Sequence, residues 1–427
     1  MQRQQALMLL VITAGAFVVP LISERIGWFT APSEMLYGAL VAALLPTARQ
    51  PGEFIVALSQ FGFLLLLFLA GLEVDFTLMR RRGRGVFVRS IIAALGLQAL
   101  ALGLVIAMGW PLINALLIGA LSVSLLLVVL NECHLTQTEF GQTLLIVGAI
   151  GEFCSIFAVT AYDLVARYGL SWMLAVAALK LLALLLAGYA ALRGLSRAAS
   201  DRPGRFSRLF AVRDGQELGV RAALAFMLCF AAAAVLLQVE QILATFIAGM
   251  VCSYAFRGEH IVTKKLTTLG QGFFLPVFFI SVGLNLQIRN VLHGPALRIL
   301  AGVLVGLLLV RLAAIPLLIF AGMALRRALP GALLLGTPLT LLVAISQVGI
   351  SLGQLNPDAY SAVLGAAIVS AVVFPLLARV LLPHAERMPA PVSRPRRWSS
   401  AFGPRPRTIS GTLIAPSADF VVESEVP

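Results

Sequence analysis

FLAGLEV, residues 68–74, and ISVGLNL, residues 280–286, are two versions of one short pattern. Each ends an apolar run, and each has glycine at its fourth position followed by leucine. Aligning Gly71 with Gly283 separates the two copies by 212 residues. Apolar segments can resemble one another by chance, so the match needs independent support.

A second match lies at almost the same separation. YGALVAALL, residues 37–45, aligns with IAGMVCSYA, residues 247–255, when Gly38 is set on Gly249, 211 residues apart. Two glycine anchors that share nearly one offset predict an internal repeat covering most of the chain.

Composition places these segments in a membrane. Of the 427 residues 60% are hydrophobic and only 12% are charged, and the mean hydropathy is +0.96. Soluble globular domains do not have this composition. The apolar runs have the length of membrane-crossing helices and lack the alternation of a β-barrel. We therefore expect an all-α polytopic membrane protein in a lipid bilayer.

The apolar runs predict thirteen transmembrane helices. They lie near residues 6–23, 33–47, 54–73, 86–109, 112–131, 141–165, 171–193, 217–238, 241–256, 269–286, 295–322, 328–354 and 360–382. An odd count puts the termini on opposite sides of the membrane. Basic residues concentrate in the loops after spans 3, 7, 9, 11 and 13, which predicts that these loops are cytoplasmic. We therefore expect the N-terminus outside, the C-terminus in the cytoplasm and a location in a bacterial inner (plasma) membrane.

The shared offset divides the predicted transmembrane domain, residues 1–385. Repeat 1, about 6–165, maps onto repeat 2, about 217–382, and the helix at 171–193 connects them. Because the shift is seven helices, the second copy is inverted in the membrane. The tail, 386–427, is basic and rich in proline, and we expect it to be disordered in the cytoplasm.

Inverted-repeat transporters form their sites where paired helices are interrupted near the bilayer midplane. Spans 5 and 12 are mates in the predicted repeat, and both contain polar or helix-breaking residues in their apolar runs. These residues are Ser122 and Ser124 in span 5 and Gly336, Thr337, Pro338 and Gln347 in span 12. We expect breaks in these two helices, although serine also occurs in membrane helices as a packing residue.

One carboxylate lies deep in an apolar helix. The run LLIVGAIGEFCSIF, residues 144–157, contains Glu152 near the bilayer midplane. A charge there costs at least ~2.5–3.5 kcal/mol, so such a residue is expected to be protonated, paired or ligated. Arg311 is similarly deep in span 11 and is the expected partner. The alternatives for Glu152 are a proton or ion site and a purely structural ion pair.

A buried carboxylate favours a proton, whereas a bound cation favours its charged form. A proton and a metal ion therefore exclude one another at one carboxylate, which is the minimal chemistry of cation/proton exchange. The four cysteines form no CxxC pair and the four histidines lie in loops or flanks, so we expect no metal centre and no cofactor. Neither an enzyme site nor a nucleic-acid-binding pattern is present in the sequence.

Five segments in order resemble the membrane domain of the monovalent cation:proton antiporter-2 family, the Kef-type group of sodium/potassium:proton exchangers. They are FGFLLLLFLAGLEVDF (61–76), NE (131–132), ATFIAGMV (244–251), LPVFFISVGLNL (275–286) and AISQVGISL (344–352). The resemblance implies the sodium/proton antiporter fold, with thirteen helices, a core domain that moves against a dimerisation domain, crossed broken helices from spans 5 and 12, and a homodimer.

The resemblance also implies roles for individual residues. The family's ion-binding aspartate follows a polar residue, and the matching position here reads Gly151-Glu152. The family's basic residue on a late helix matches Arg311. Its Ser-Ser-Thr-like break reads Leu121-Ser122-Val123 here, so the site contains fewer polar groups than the family pattern.

The sequence therefore predicts a secondary active antiporter that exchanges protons for Na⁺ or K⁺ by alternating access. Glu152 is the shared site and Arg311 its counter-charge. The supplementary ligands are Ser122, Ser124 and the carbonyls near Gly336 to Pro338. With one acid in the site, one-for-one exchange is the simplest expectation. The alternatives are a cation efflux channel or a symporter on the same scaffold, and a non-transporting relative with a structural Glu152–Arg311 pair.

Overall fold

The computed structural model describes residues 3–26, 28–45, 52–74, 83–169, 171–201, 217–238, 241–255, 260–287, 291 and 294–382. The tail at 386–427 and most of the basic loop residues that set the predicted orientation lie outside these ranges. The described helices are α1 (Arg3–Ile26), α2 (Thr30–Leu44), α3 (Glu53–Leu72), α4 (Arg84–Met108), α5 (Ile113–Gly119), α6 (Ser124–Glu132), α7 (Glu139–Tyr168), α8 (Trp172–Asp201), α9 (Leu218–Leu237), α10 (Gln241–Ala255), α11 (His260–Leu269), α12 (Leu275–Leu284), α13 (Gly294–Ala313), α14 (Ile315–Phe320), α15 (Leu325–Leu335), α16 (Leu339–Ser351) and α17 (Pro357–Leu381). One π-helical turn, Gly270–Phe274, joins α11 to α12.

The fold is all-helical, as expected, and the predicted count of thirteen spans is approximate. Within the described ranges ten helices are long and apolar enough to cross a membrane, or eleven if α15 and α16 count as one bent span. The two predicted spans that fall short are α2 and α10, with 15 residues each. At about 1.5 Å per residue, such a helix is shorter than the ~30 Å hydrocarbon layer.

The short helix α2 crosses α12 where Gly38 meets Gly283. A Cβ built on Gly38 would lie 2.1 Å from the carbonyl oxygen of Ile280, and one on Gly283 would lie 2.1 Å from that of Met35. The two backbones are therefore in contact, which only glycine permits, as in small-residue crossings of membrane helices.

Helices α3 and α10 repeat this crossing. A Cβ on Gly71 would lie 2.2 Å from the carbonyl oxygen of Phe246, and one on Gly249 would lie 2.1 Å from that of Phe68. In both crossings each glycine faces the carbonyl three residues before its partner glycine. The four glycines that align the sequence repeat thus form two equivalent contacts, which supports the inverted repeat.

Both predicted broken helices are interrupted. The first stops at Gly119 and restarts at Ser124, and the second stops at Leu335 and restarts at Leu339 with a bend of 42°. Ser122 lies within the first break, and Gly336, Thr337 and Pro338 form the second.

The crossings predict the effect of a methyl group at Gly71. Gly71→Ala should lower the melting temperature of the detergent-purified protein, since overpacking against a carbonyl typically costs about 1–3 kcal/mol. Gly103→Ala on α4 is the matched control, because a Cβ there meets nothing within 4 Å. It should leave stability equal or raise it, as alanine is the better helix former by about 1 kcal/mol. Equal melting temperatures for the two variants would contradict the close contact.

Candidate functional site

Glu152 is held in the middle of a long, well-capped helix. Helix α7 has 30 residues, and its N-cap residue Thr138 accepts a hydrogen bond from the backbone N–H of Gly141 (3.1 Å). Glu152 is the fourteenth residue and only 1% exposed. The carboxylate is therefore buried where the sequence places it.

Both oxygens of Glu152 accept hydrogen bonds from the first break. Oε1 accepts from the hydroxyl of Ser122 and Oε2 from the backbone N–H of Val123, each at 3.0 Å. Val123 immediately precedes α6, so the carboxylate lies at a helix N-terminus, whose partial positive charge favours an anion. The structure thus brings predicted residues Ser122 and Glu152 into direct contact.

A second residue of α7 holds the same break, and sequence reasoning missed it. The hydroxyl of Ser155 accepts from the N–H of Leu121 (3.2 Å) and from the side-chain amide of Gln98 (2.7 Å), and it donates to the carbonyl of Gly151 (2.7 Å). Because Glu152 and Ser155 are three residues apart, they lie on one face of α7. That face satisfies two of the backbone N–H groups that the break exposes.

Gly151 contributes no side chain to the site, and Leu121 explains why. A Cβ on Gly151 would lie 2.3 Å from Cδ1 of Leu121, so this leucine occupies the space that a side chain at 151 needs. The two departures from the family pattern, at 121 and 151, are therefore one packing arrangement.

The expected pairing of Arg311 with Glu152 is wrong. The guanidinium is fully buried and donates to three backbone carbonyls: those of Leu335 (3.2 Å), Ile118 (3.4 Å) and Ala120. No ion pair joins the two side chains within 4.0 Å. These carbonyls lie at the C-terminal ends of α5 and α15, where the helix dipole leaves partial negative charge. Arg311 therefore binds carbonyls of the broken helices and makes no direct ion pair with the carboxylate.

The second break contributes a residue that the sequence did not single out. The hydroxyl of Thr340, on α16, lies 3.0 Å from that of Ser122 and links the two breaks. The predicted residues nearby have local roles: Thr337 donates to the carbonyl of Leu334 (2.8 Å), and the carbonyl of Pro338 accepts from Leu342. Gly336 packs against the Phe374 ring, while Gln347 is half-buried and no hydrogen bond to the described site residues is seen.

A second carboxylate approaches the site. Glu73 follows α3, and its side chain interacts electrostatically with Glu152 and with the hydroxyl of Ser124, the first residue of α6. Its Oε2 is buried and has no hydrogen-bond partner among the described residues. The signal that could have found it is the repeat itself, since FLAGLEV has Glu73 where ISVGLNL has Asn285.

Comparison with known proteins assigns the chain to a family. The family described as "Sodium/hydrogen exchanger, transmembrane" matches residues 12–382. The chain belongs to this family. The matched residues therefore include every helix that contributes to the site, from α3 to α16.

Among curated relatives of this exchanger, a putative Na⁺/H⁺ antiporter, YjbQ of Bacillus subtilis, is 23% identical over 97% of the chain and 68% of its own length. A probable Na⁺/H⁺ antiporter 3 of Methanocaldococcus jannaschii is 23% identical over 86% of the chain and 94% of its own. A glutathione-regulated potassium-efflux protein, KefC of an Enterobacter species, is 27% identical over 71% of the chain and 48% of its own.

The fold matches a solved structure. The sodium proton antiporter MjNhaP1 from Methanocaldococcus jannaschii, at pH 8, superimposes with a TM-score of 0.58 over 88% of this exchanger and 95% of its own chain. At 15% sequence identity the match shows a common fold.

The carbonyl contacts of Arg311 predict how its removal acts. Arg311→Met should strongly lower the melting temperature, because three buried carbonyls lose a charged donor, each at a cost of about 1–3 kcal/mol. Arg298→Met, on the exposed face of the same helix, is the matched control and should have little effect.

A double-mutant cycle separates this role from an ion pair. If Arg311 neutralised Glu152, adding Glu152→Gln to Arg311→Met would recover stability, because the unpaired carboxylate would be gone. We expect no such recovery. Recovery to near the Glu152→Gln value would contradict the assignment of Arg311 to the backbone carbonyls.

Proposed function

We propose that the protein is a secondary active antiporter that exchanges protons for a monovalent cation, Na⁺ or K⁺, with Glu152 as the shared site. The observation that supports this most is a buried carboxylate at the N-terminal end of a broken helix, with no ion-pair partner within 4 Å among the described residues. Membership of the exchanger family and the names of its relatives support the same activity.

The chemistry follows from what surrounds the carboxylate. Besides the backbone N–H of Val123, the polar groups around it are oxygen groups: the hydroxyl of Ser122, the Thr340 hydroxyl that contacts Ser122 and, further out, the Glu73 carboxylate. Oxygen donors suit hard cations such as Na⁺ and K⁺. When the cation binds, the proton on Glu152 leaves to water, and when a proton binds, the cation leaves.

Alternating access requires that the site with an empty, ionised Glu152 have the highest free energy for crossing the membrane. A helix N-terminus carries only about half an elementary charge, so it stabilises the Glu152 carboxylate without neutralising it. A proton or a cation completes the neutralisation, and either loaded form crosses more easily than the empty site. Since Glu152 is the single carrier in this scheme, we propose one-for-one, electroneutral exchange.

We place the protein in the Kef-type group of the cation:proton antiporter-2 family, on the five ordered motifs and the KefC relative. We further propose a homodimer in a bacterial inner membrane, with the N-terminus outside and two inverted repeats at about 6–165 and 217–382. The equivalent crossings of α2 with α12 and of α3 with α10 support the repeat.

Exchange by reconstituted protein tests the function. Proteoliposomes with an imposed pH gradient should lose it on addition of Na⁺ or K⁺, with Li⁺ as a third cation, and Glu152→Gln should abolish the response. Glu53→Gln, at an exposed glutamate that begins α3, is the matched control and should retain exchange. Undiminished exchange in Glu152→Gln would remove Glu152 from the mechanism.

The same assay distinguishes the alternatives. A channel would pass the cation without proton movement, and a symporter would move proton and substrate in one direction. A non-transporting relative would give no response with any of the three cations. Electroneutral exchange predicts a rate that does not change when a valinomycin-clamped membrane potential is applied.

Glu73 should tune cation binding without being essential. We expect Glu73→Gln to retain exchange while raising the cation concentration at half-maximal rate by about five- to thirtyfold, the effect of losing roughly 1–2 kcal/mol of attraction. The measurement is the Na⁺ and K⁺ dependence of the initial rate at fixed pH. An unchanged half-maximal concentration would place Glu73 outside the ion's reach.

A further inference from the structure

Among the described residues, a side-chain hydrogen bond between Ser122 and Thr340 joins the two broken helices. Their oxygens are 3.0 Å apart, both residues are buried, and either can donate. In the described part of α16 and its break, the hydroxyls of Thr337 and Ser346 donate instead to carbonyls of their own segments. Thr340 therefore differs from its neighbours in facing the other broken helix.

The protonation state of Glu152 decides which of the two hydroxyls donates in the Ser122–Thr340 hydrogen bond. When Glu152 is ionised it can only accept, so the Ser122 hydroxyl donates to Oε1. The Ser122 oxygen then has lone pairs free, and the Thr340 hydroxyl donates to it. The chain of donation runs from Thr340 through Ser122 to Glu152, and every proton has an acceptor.

Protonation reverses the chain. Oε2 already accepts the N–H of Val123, so the added proton is placed on Oε1, from which it donates to the Ser122 oxygen. The Ser122 hydroxyl then turns to the Thr340 oxygen, and the Thr340 proton turns away to another acceptor. Each hydroxyl keeps its own proton and only rotates. No covalent bond is therefore made or broken other than the O–H bond on Glu152.

We propose that Thr340 is a positioning residue through which the second broken helix responds to the proton load of Glu152. In the ionised state Thr340 donates toward the first break, and in the protonated state it accepts from it. The inference rests on the proposed exchange at Glu152 and adds the residue by which α16 takes part.

Two charged groups on other elements interact with Glu152 or with the broken helices that carry this series of hydrogen bonds. Glu73, after α3, interacts with Glu152 and Ser124, and Arg311, on α13, binds the carbonyls at the ends of α5 and α15. Neither hydrogen-bonds to the hydroxyl of Thr340, and both are unchanged in the test below.

The test is the pH profile of exchange by Thr340→Val, which removes the hydroxyl and keeps the branched shape. In this variant Ser122 can still donate to ionised Glu152, but in the protonated state its hydroxyl has lost the Thr340 oxygen as acceptor. The proton-loaded form is therefore disfavoured. We expect the midpoint of the pH profile to move down by about 0.5–1 pH unit, the size expected when a buried donor loses its acceptor in one of the two protonation states only.

Two further variants separate the hydroxyl from packing. Thr340→Ser keeps the hydroxyl and should restore the wild-type midpoint. Thr160→Val makes the same substitution on α7, at a fully buried threonine whose hydroxyl bonds to Ile156 of its own helix, and should leave the midpoint unchanged.

The outcomes are distinct. If the wild type shows no exchange, the proposed function fails and this inference fails with it. If the wild type and Thr160→Val exchange normally while Thr340→Val keeps the wild-type midpoint, only the inference is overturned. A shift as large in Thr340→Ser as in Thr340→Val would also overturn it, because packing and not the hydroxyl would then be the cause.

Discussion

The interrupted helices expose backbone N–H and C=O groups in the middle of a membrane, and the rest of the site follows from satisfying them. Inside hydrocarbon each unsatisfied group costs several kcal/mol, so a break persists only where protein groups replace water. One face of α7 accepts the exposed N–H groups through Glu152 and Ser155, and Arg311 donates to the exposed carbonyls. The two deep charges are thus the partners that the breaks require.

The separate partners of Glu152 and Arg311 matter for transport. Had Arg311 been paired with Glu152, a full positive charge would neutralise the carboxylate permanently, and a small cation would have to compete with a tethered guanidinium. The helix N-terminus supplies only a fraction of a charge. The carboxylate is therefore stable enough to remain in the helix and still retains attraction for a proton or a cation. In the proposed mechanism, compensation of each charge by backbone dipoles lets a proton and a cation exchange at Glu152.

The sequence predicts the features that follow directly from the free-energy cost of burying a charge in a membrane. A charge in a long apolar run identifies Glu152 and Arg311, and glycines at a common offset predict both the repeat and, as the crossings show, the points of backbone contact. The pairing of the two charges was wrong because sequence patterns show charged side chains and not the backbone groups that a break exposes. Thr340 could not be found because its partner is 218 residues away, and threonine in a membrane helix usually bonds to its own carbonyls.

The two glycine crossings are equivalent in backbone, whereas the charges of the proposed repeat are asymmetric, and the geometry gives a reason. The offset of 212 sets Leu364 opposite Glu152 and Asn285 opposite Glu73, so in the proposed repeat both carboxylates belong to the first copy and the arginine to the second. Arg311 already reaches the C-terminal ends of α5 and α15, and the Ser122–Thr340 bond joins the two restarting helices. A single acid and a single base therefore serve both breaks. A fully symmetric site would add a like charge beside each, and repulsion in a low-dielectric interior would oppose the burial of both.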